Sequence, residues 1–393
     1  MTEDTKLNTR VILALTLVHF TGDFYGSFIN PLLPVFVEKY SLSLAQAGLL
    51  AGISRFLAFI VQPASGYIAD HYRTRFFVLG GPILAMAFIP MVGIAPGYAL
   101  LLLFIALGSV GQSMFHPTAA GMIYPYSGSH FGLSMSIFNM GGTLAFGVGP
   151  LFITWLVQAW GLAVTPFTVL VGLPLIAILF WLVPVPQSEG LENLGFIGSL
   201  REALGEVWKA IIIVWIVMVL RAFVGQSFLT FAPILLSREG YSLIAIGSVV
   251  SLFVVGGAVS GLAAGHLSDR IGFKPVFVAA HALTLPTLYL LLYVRGTLVY
   301  PIAFLAGFFL LATLPLGVAL AQQLAPRGKS MVSSLMMGLA FGSGGLMIPL
   351  TGKLADLFSI RSVLAFLAVI PAFTVLLILR IPEPNERVPG PDA

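Results

Sequence analysis

GYIADHYRTR, residues 66–75, and GHLSDRIGFK, residues 265–274, are two versions of one loop, each following a long apolar run. Sliding the chain on itself by 199 residues lays Gly66 on Gly265 and Asp70 on Asp269. The same ungapped register pairs Gly26 with Gly225, Pro34 with Pro233 and Gly48 with Gly247. A single register that holds across two apolar runs and two loops marks the chain as a tandem repeat of about half its length. Within each loop, the glycine permits close helix approach, the aspartate can cap the next helix or pair with a base, and the basic residues prefer a membrane surface.

Outward from these loops the chain is overwhelmingly apolar. Of its 393 residues 58% are hydrophobic and 9% charged, against roughly 25% charged in a soluble domain. Such a composition excludes a soluble globular protein and predicts an all-α integral membrane protein. With about 20 apolar residues per crossing, apolar runs predict twelve transmembrane helices near 10–37, 44–69, 75–95, 97–124, 130–158, 164–185, 207–236, 243–268, 274–294, 297–325, 329–356 and 361–381. The expected organisation is a six-helix bundle over 1–185, a linker over 186–206 and a second six-helix bundle over 207–393. Twelve Lys and Arg residues fall on one side of the membrane and five on the other, which places both termini and the linker in the cytoplasm. The first run is too long for a signal-peptide core and is retained as a span. There is no cysteine, so disulfides and thiolate chemistry are excluded. The basic residues are scattered over loop ends, and no nucleic-acid partner is expected.

On these motifs the chain resembles the major facilitator superfamily, whose signature is a Gly-x-x-x-Asp-Arg-x-Gly-Arg-Arg-like loop between spans two and three. The resemblance implies two pseudo-symmetric bundles, a substrate site at mid-membrane and alternating access. It also implies a gating latch at Gly66, Asp70, Arg73, Gly265, Asp269 and Arg270. Three further stretches, HFTGDFYGSFINPLLP, GQSMFHPTAAGM and HFGLSMSIFNMGGTLAFGVGP, resemble the fosmidomycin-resistance branch of drug:proton antiporters. Where that branch often has an acid after the His-Pro of span four, this chain has Thr118.

Ionisable residues inside spans are read as functional, because each costs ~2.5–3.5 kcal/mol if it faces lipid. His19 and Asp23 lie four apart in the first span, and Ser27 and Asn30 extend the same helical face. With His116 they are the candidate proton-coupling groups, since histidine changes charge near neutrality and a carboxylate beside it favours the charged ring. Arg55 and Arg221 are candidate anion ligands, joined by the amides Gln112, Asn139, Gln226 and Asn30 as candidate substrate contacts. In the repeat register Arg221 aligns with Gly22, next to Asp23. The alternative reading is a permanent Asp23–Arg221 pair that only holds the halves together. His281, alone on the ninth span, reads as structural.

A proton-coupled secondary transporter of the inner (cytoplasmic) membrane is therefore expected, exporting a small anionic or amphiphilic drug-like compound by antiport. The alternatives are proton symport of an organic acid and, more remotely, an intramembrane receptor or enzyme. A monomer is expected, with no cofactor beyond the coupling proton, no metal site and no catalytic constellation. The serine of Gly342-Ser343-Gly344 has no His and Asp partners on neighbouring spans, and the chain lacks a Gly-x-x-x-x-Gly-Lys-Ser/Thr loop for ATP.

Overall fold

A computed structural model describes residues 7–71, 75–128, 131–185, 207–324 and 335–381. Among these the chain is helical throughout, with no strand, as a backbone in hydrocarbon requires when no water can satisfy its N–H and C=O groups. The helices in order are α1 (Thr9–Gly26), α2 (Ile29–Tyr40), α3 (Leu44–His71), α4 (Phe76–Phe88), α5 (Tyr98–Gly121), α6 (Ile123–Ser127), α7 (Phe131–Trp160) and α8 (Val169–Leu182). They continue as α9 (Trp208–Arg238), α10 (Leu243–Ile271), α11 (Phe273–Tyr293), α12 (Val299–Leu324), α13 (Ala340–Leu346), α14 (Ile348–Leu357), α15 (Ile360–Leu367) and α16 (Ile370–Ile378).

Eleven stretches among the described residues are long and apolar enough to cross a membrane. The described part of the region expected to form the eleventh of twelve spans is helical in pieces, a π-helical turn at Leu335–Leu339 followed by α13 and α14. Glycines at 338, 342, 344 and 345 and Pro349 explain the interruption, since both residue types weaken a regular helix. The first span is also segmented. Pro31 lacks the N–H that would bond the Ser27 carbonyl, so the chain tightens at Ser27 and Phe28 between α1 and α2. The polar face that periodicity carries from His19 runs on through Ser27, which meets α7 at Gly149, while Asn30 lies past the turn on α2. The Ser27 hydroxyl turns back to donate to the Phe24 carbonyl at 2.7 Å.

The chain forms two compact units, one comprising Met1–Leu191 with Thr230–Ser251 and the other Glu192–Leu229 with Leu252–Ala393. In the first unit α1 is central, packing on α4, α5, α7 and α8. It is almost wholly enclosed, with Leu15, Val18 and Tyr25 fully buried. Polar ties fix its surroundings: Tyr25 donates to the Thr168 carbonyl at 2.9 Å, and in the last turn of α2 Lys39 reaches the Gly93 carbonyl at 3.1 Å. The segment Thr230–Ser251 joins this unit through α7, where the Ile244 N–H donates to Gln158 at 3.0 Å and Ser251 donates to the Gly147 carbonyl. In the second unit a core of Val214, Met218, Phe277, Leu316 and Met336 gathers α9, α11 and α12 around the π-helical turn. The linker 186–206 lies outside the described residues.

Close helix approach in the first unit depends on small residues, the usual means of association where lipid supplies no hydrophobic drive. Between α4 and α5, a Cβ at Gly111 would stand 2.5 Å from the Gly81 carbonyl oxygen, and one at Gly81 would stand 2.7 Å from that of Gly111. Gly111→Ala is therefore expected to cost ~1–3 kcal/mol through overpacking. Gly97→Ala, where nothing lies within 4 Å, provides the comparison. Thermal unfolding of the detergent-solubilised variants should separate the two, and equal melting temperatures would contradict the packing described.

Candidate functional site

The first unit contains a buried polar cluster centred on Asp23, whose side chain is 5% exposed. Helical spacing of four builds it twice: His19 and Asp23 share a face of α1, and Gln112 and His116 share a face of α5. Asp23 Oδ2 lies 3.2 Å from His19 Nε2, and Oδ1 lies 3.2 Å from His116 Nε2. Gln112 Nε2 donates to Oδ1 at 3.0 Å. Nδ1 of His19 donates to the Phe138 carbonyl on α7 at 2.9 Å. Both ring nitrogens of His19 thus face acceptors, an arrangement fully satisfied only when each carries a hydrogen. The rings of His19 and His116 meet edge to face with centroids 5.0 Å apart, and Phe115 stacks on His116 at 4.2 Å. His116 is the more open member, at 28% side-chain exposure.

Three features invisible to periodicity shape this cluster. Gly26 leaves room for the Gln112 amide, which a Cβ there would overlap. Gly142 on α7 lies directly against the His19–Asp23 contact, where a Cβ would meet His19 Nε2 and would stand 2.8 Å from Asp23 Oδ2. Finally, the Phe138 carbonyl fixes the His19 ring. Nothing local in the sequence tied these glycines to Asp23.

The other candidates are placed as follows. Arg55, half-buried on α3, interacts electrostatically with Asp23. Asn139 is exposed on α7, and Asn30 is half-buried on α2 beyond the turn that breaks the polar face. In the second unit Gln226 is buried on α9. Arg221, 2% exposed, donates from Nε to the Leu310 carbonyl at 3.2 Å, and its guanidinium carbon sits 5.4 Å from the Phe341 ring centroid. Among the described residues its Nη2 has no hydrogen-bond partner. Gly66 and Asp70 belong to the last turns of α3, and Gly265, Asp269 and Arg270 to the last turns of α10. Gly265 stands in open space, with nothing within 4 Å of a Cβ built there. Arg73 lies outside the described residues.

The donor atoms of His19, Asp23 and His116 all lie within 4.8 Å of one another, near enough to hold a cation. No ion is needed to account for the spacing, since both carboxylate–imidazole distances are those of hydrogen bonds. The fold places the protein among membrane transporters rather than enzymes.

The family model described as Major Facilitator Superfamily matches residues 15–248 and again 214–393, and the chain belongs to that family. The fosmidomycin resistance protein of Escherichia coli (strain K12) is 27% identical over 389 residues, covering 96% of this chain and 94% of that protein. The quinolone resistance protein NorA of Staphylococcus aureus is 28% identical over 126 residues, 31% of this chain and 32% of its own. Among solved structures, a bacterial homolog of the human lysosomal transporter Spinster, inward-facing and occupied, superposes with a TM-score of 0.79 at 16% identity. The match covers 96% of this chain and 97% of that one, and it shows the shared fold.

Because Gly142 is the wall behind the His19–Asp23 contact, Gly142→Ala is expected to push the pair apart. Transport should fall about tenfold, the worth of one hydrogen bond to a charged group. Gly121→Ala, with nothing within 4 Å, should leave transport unchanged. Equal activity of both variants would show that the contact can tolerate the methyl group.

Proposed function

We propose that the protein exports a small anionic or amphiphilic drug-like compound across the inner membrane in exchange for protons. The observation that carries this reading is the carboxylate of Asp23, held between His19 and His116 at 3.2 Å on each side. A carboxylate enclosed by two imidazoles and an amide can take up or give back a proton with little rearrangement. Each charge that crosses the membrane also gains or loses ~2.3 kcal/mol per 100 mV. Relatives named for resistance to fosmidomycin and to quinolones favour export over uptake. Arg55 and Arg221 supply the positive charge for an anionic substrate, because a guanidinium can present two parallel donors to one oxyanion. On this reading the protein works as a monomer with both termini cytoplasmic, and with the proton as coupling ion in place of any cofactor. The loops around Asp70 and Asp269 latch its two repeats.

Asp23→Asn should abolish accumulation driven by an imposed pH gradient in inverted vesicles while leaving substrate exchange at least partly intact. Undiminished pH-driven accumulation in this variant would remove Asp23 from the coupling. The sign of the gradient separates the two, because an acidic lumen drives accumulation by antiport and an acidic exterior drives it by symport. Arg221→Ala should weaken binding of anions more than of neutral analogues of the same size. An equal loss for both would assign Arg221 to structure.

A further inference from the structure

The Asp23 cluster has the composition of a metal-ligand set as well as of a hydrogen-bonded one. Two imidazoles and a carboxylate reach it from two helices, with Asp23 Oδ2 3.2 Å from His19 Nε2 and Oδ1 3.2 Å from His116 Nε2. A tetrahedral zinc ion with ligands at about 2.0–2.1 Å holds neighbouring donor atoms about 3.3 Å apart, so both edges already have the length that coordination requires. The edge between the two imidazoles lies within the 4.8 Å that encloses all three donors. His116, whose side chain is 28% exposed against 10% for His19 and 5% for Asp23, is the member that can move to close it, and it is the side from which an ion enters.

The orientation of His19 singles out the atom that binds. Its Nδ1 lies 2.9 Å from the Phe138 carbonyl, and a carbonyl only accepts, so Nδ1 carries a hydrogen. In the neutral ring Nε2 then bears a lone pair, and that lone pair faces a carboxylate oxygen at 3.2 Å. Two acceptors at this distance need a cation between them, either a hydrogen on Nε2 or a metal ion. A backbone carbonyl behind the imidazole is also a usual outer partner of a metal-bound histidine, because it fixes the ring and its tautomer. Gly142 keeps the α7 side of the contact open, where a Cβ would meet Nε2. The helices packed on α1, namely α4 to α8, carry no acid or base and no histidine besides His116. Arg55 on α3 acts on Asp23 from outside the set, and its positive charge tempers the attraction for a dication without supplying a ligand.

We propose that His19, Asp23 and His116 form a binding site for a divalent transition-metal ion of the zinc type, which takes the place of the coupling proton. The ion accepts the Nε2 lone pairs of both rings and an oxygen of Asp23, and a solvent oxygen completes its coordination on the His116 side. Imidazole donors select zinc, nickel or copper over magnesium and calcium, which prefer oxygen ligands. While the ion is bound the carboxylate is denied to protons, so zinc inhibits transport. The site rests on coordination geometry, whereas the inhibition rests on the reading that Asp23 carries the coupling proton.

Calorimetric titration of the purified full-length protein, free of any polyhistidine tag, should show one zinc ion bound per chain from zinc chloride and no binding from magnesium chloride. His19→Gln and His116→Gln should each weaken zinc binding about tenfold or more, since loss of even an outer partner of a metal ligand costs ~10–100-fold. His266→Gln, at an exposed position on α10, should leave it unchanged. Zinc should raise the melting temperature of the wild type and of His266→Gln but not of the other two, whose own unfolding transitions report that they are folded. In the wild type alone, cobalt(II) at the site should give the intense visible absorption of a tetrahedral ion. No saturable zinc binding, wild-type affinity in the folded His19 and His116 variants, or an octahedral cobalt spectrum would overturn the site. Zinc that binds through these residues yet leaves pH-driven export at full rate would instead remove the coupling proton from Asp23, with the metal site intact.

Discussion

A carboxylate enclosed in a membrane protein must be met by donors, and in the first unit the packing of three helices follows from how Asp23 is met. Its two oxygens take His19 from the same helix and Gln112 and His116 from α5, while α7 contributes the Phe138 carbonyl that orients His19. Such a concentration of polar groups fits only where neighbouring backbones offer no side chains. Gly22 admits the Phe115 ring, Gly26 admits the Gln112 amide, and Gly142 yields to the His19–Asp23 contact. The glycines and the polar residues are one construction, because a methyl group at Gly26 or Gly142 would occupy the volume of a hydrogen-bonding atom and one at Gly22 that of the Phe115 ring.

The second unit solves the opposite electrostatic problem with different means. In the register of the repeat, Phe341 stands where the first half has Gly142, and Arg221 stands at Gly22 beside Asp23. An open corner for a carboxylate has become an aromatic face beneath a guanidinium, with a favourable cation–π geometry. Duplication preserved the helices and their order while the charge at the equivalent place changed sign. A buried base without an acid in its own surroundings and a buried acid flanked by titratable rings are distinct chemical tools.

Much of this was legible in the sequence. The membrane class, the helical spans and the tandem repeat follow from hydropathy and a fixed offset, both of which are insensitive to distant packing. His19 with Asp23 and Gln112 with His116 could be read as shared faces because four residues make about one helical turn. That face extends to Ser27, which meets α7 at Gly149, and Asn30 follows a turn that Pro31 sets by removing one helical hydrogen bond. Within the described part of the eleventh expected span, glycines and Pro349 divide the helix into a π-helical turn and two short helices. Asn139 reads as a neighbour of the cluster along α7, yet the chain atom of that helix that matters is the carbonyl one residue earlier.

What the sequence determined by itself is therefore the set of helices, their membrane setting, the repeat and the polar residues each helix presents together. These depend on spacing and on transfer of side chains from water, which act within a turn or a span. Only the tertiary structure decided which faces meet: that α1 and α5 close around Asp23, that Gly142 backs the contact, and that α9, α11 and α12 share one core. Those pairings depend on how closely backbones separated by many residues can approach, and that distance is set by the sizes of side chains on both partners at once.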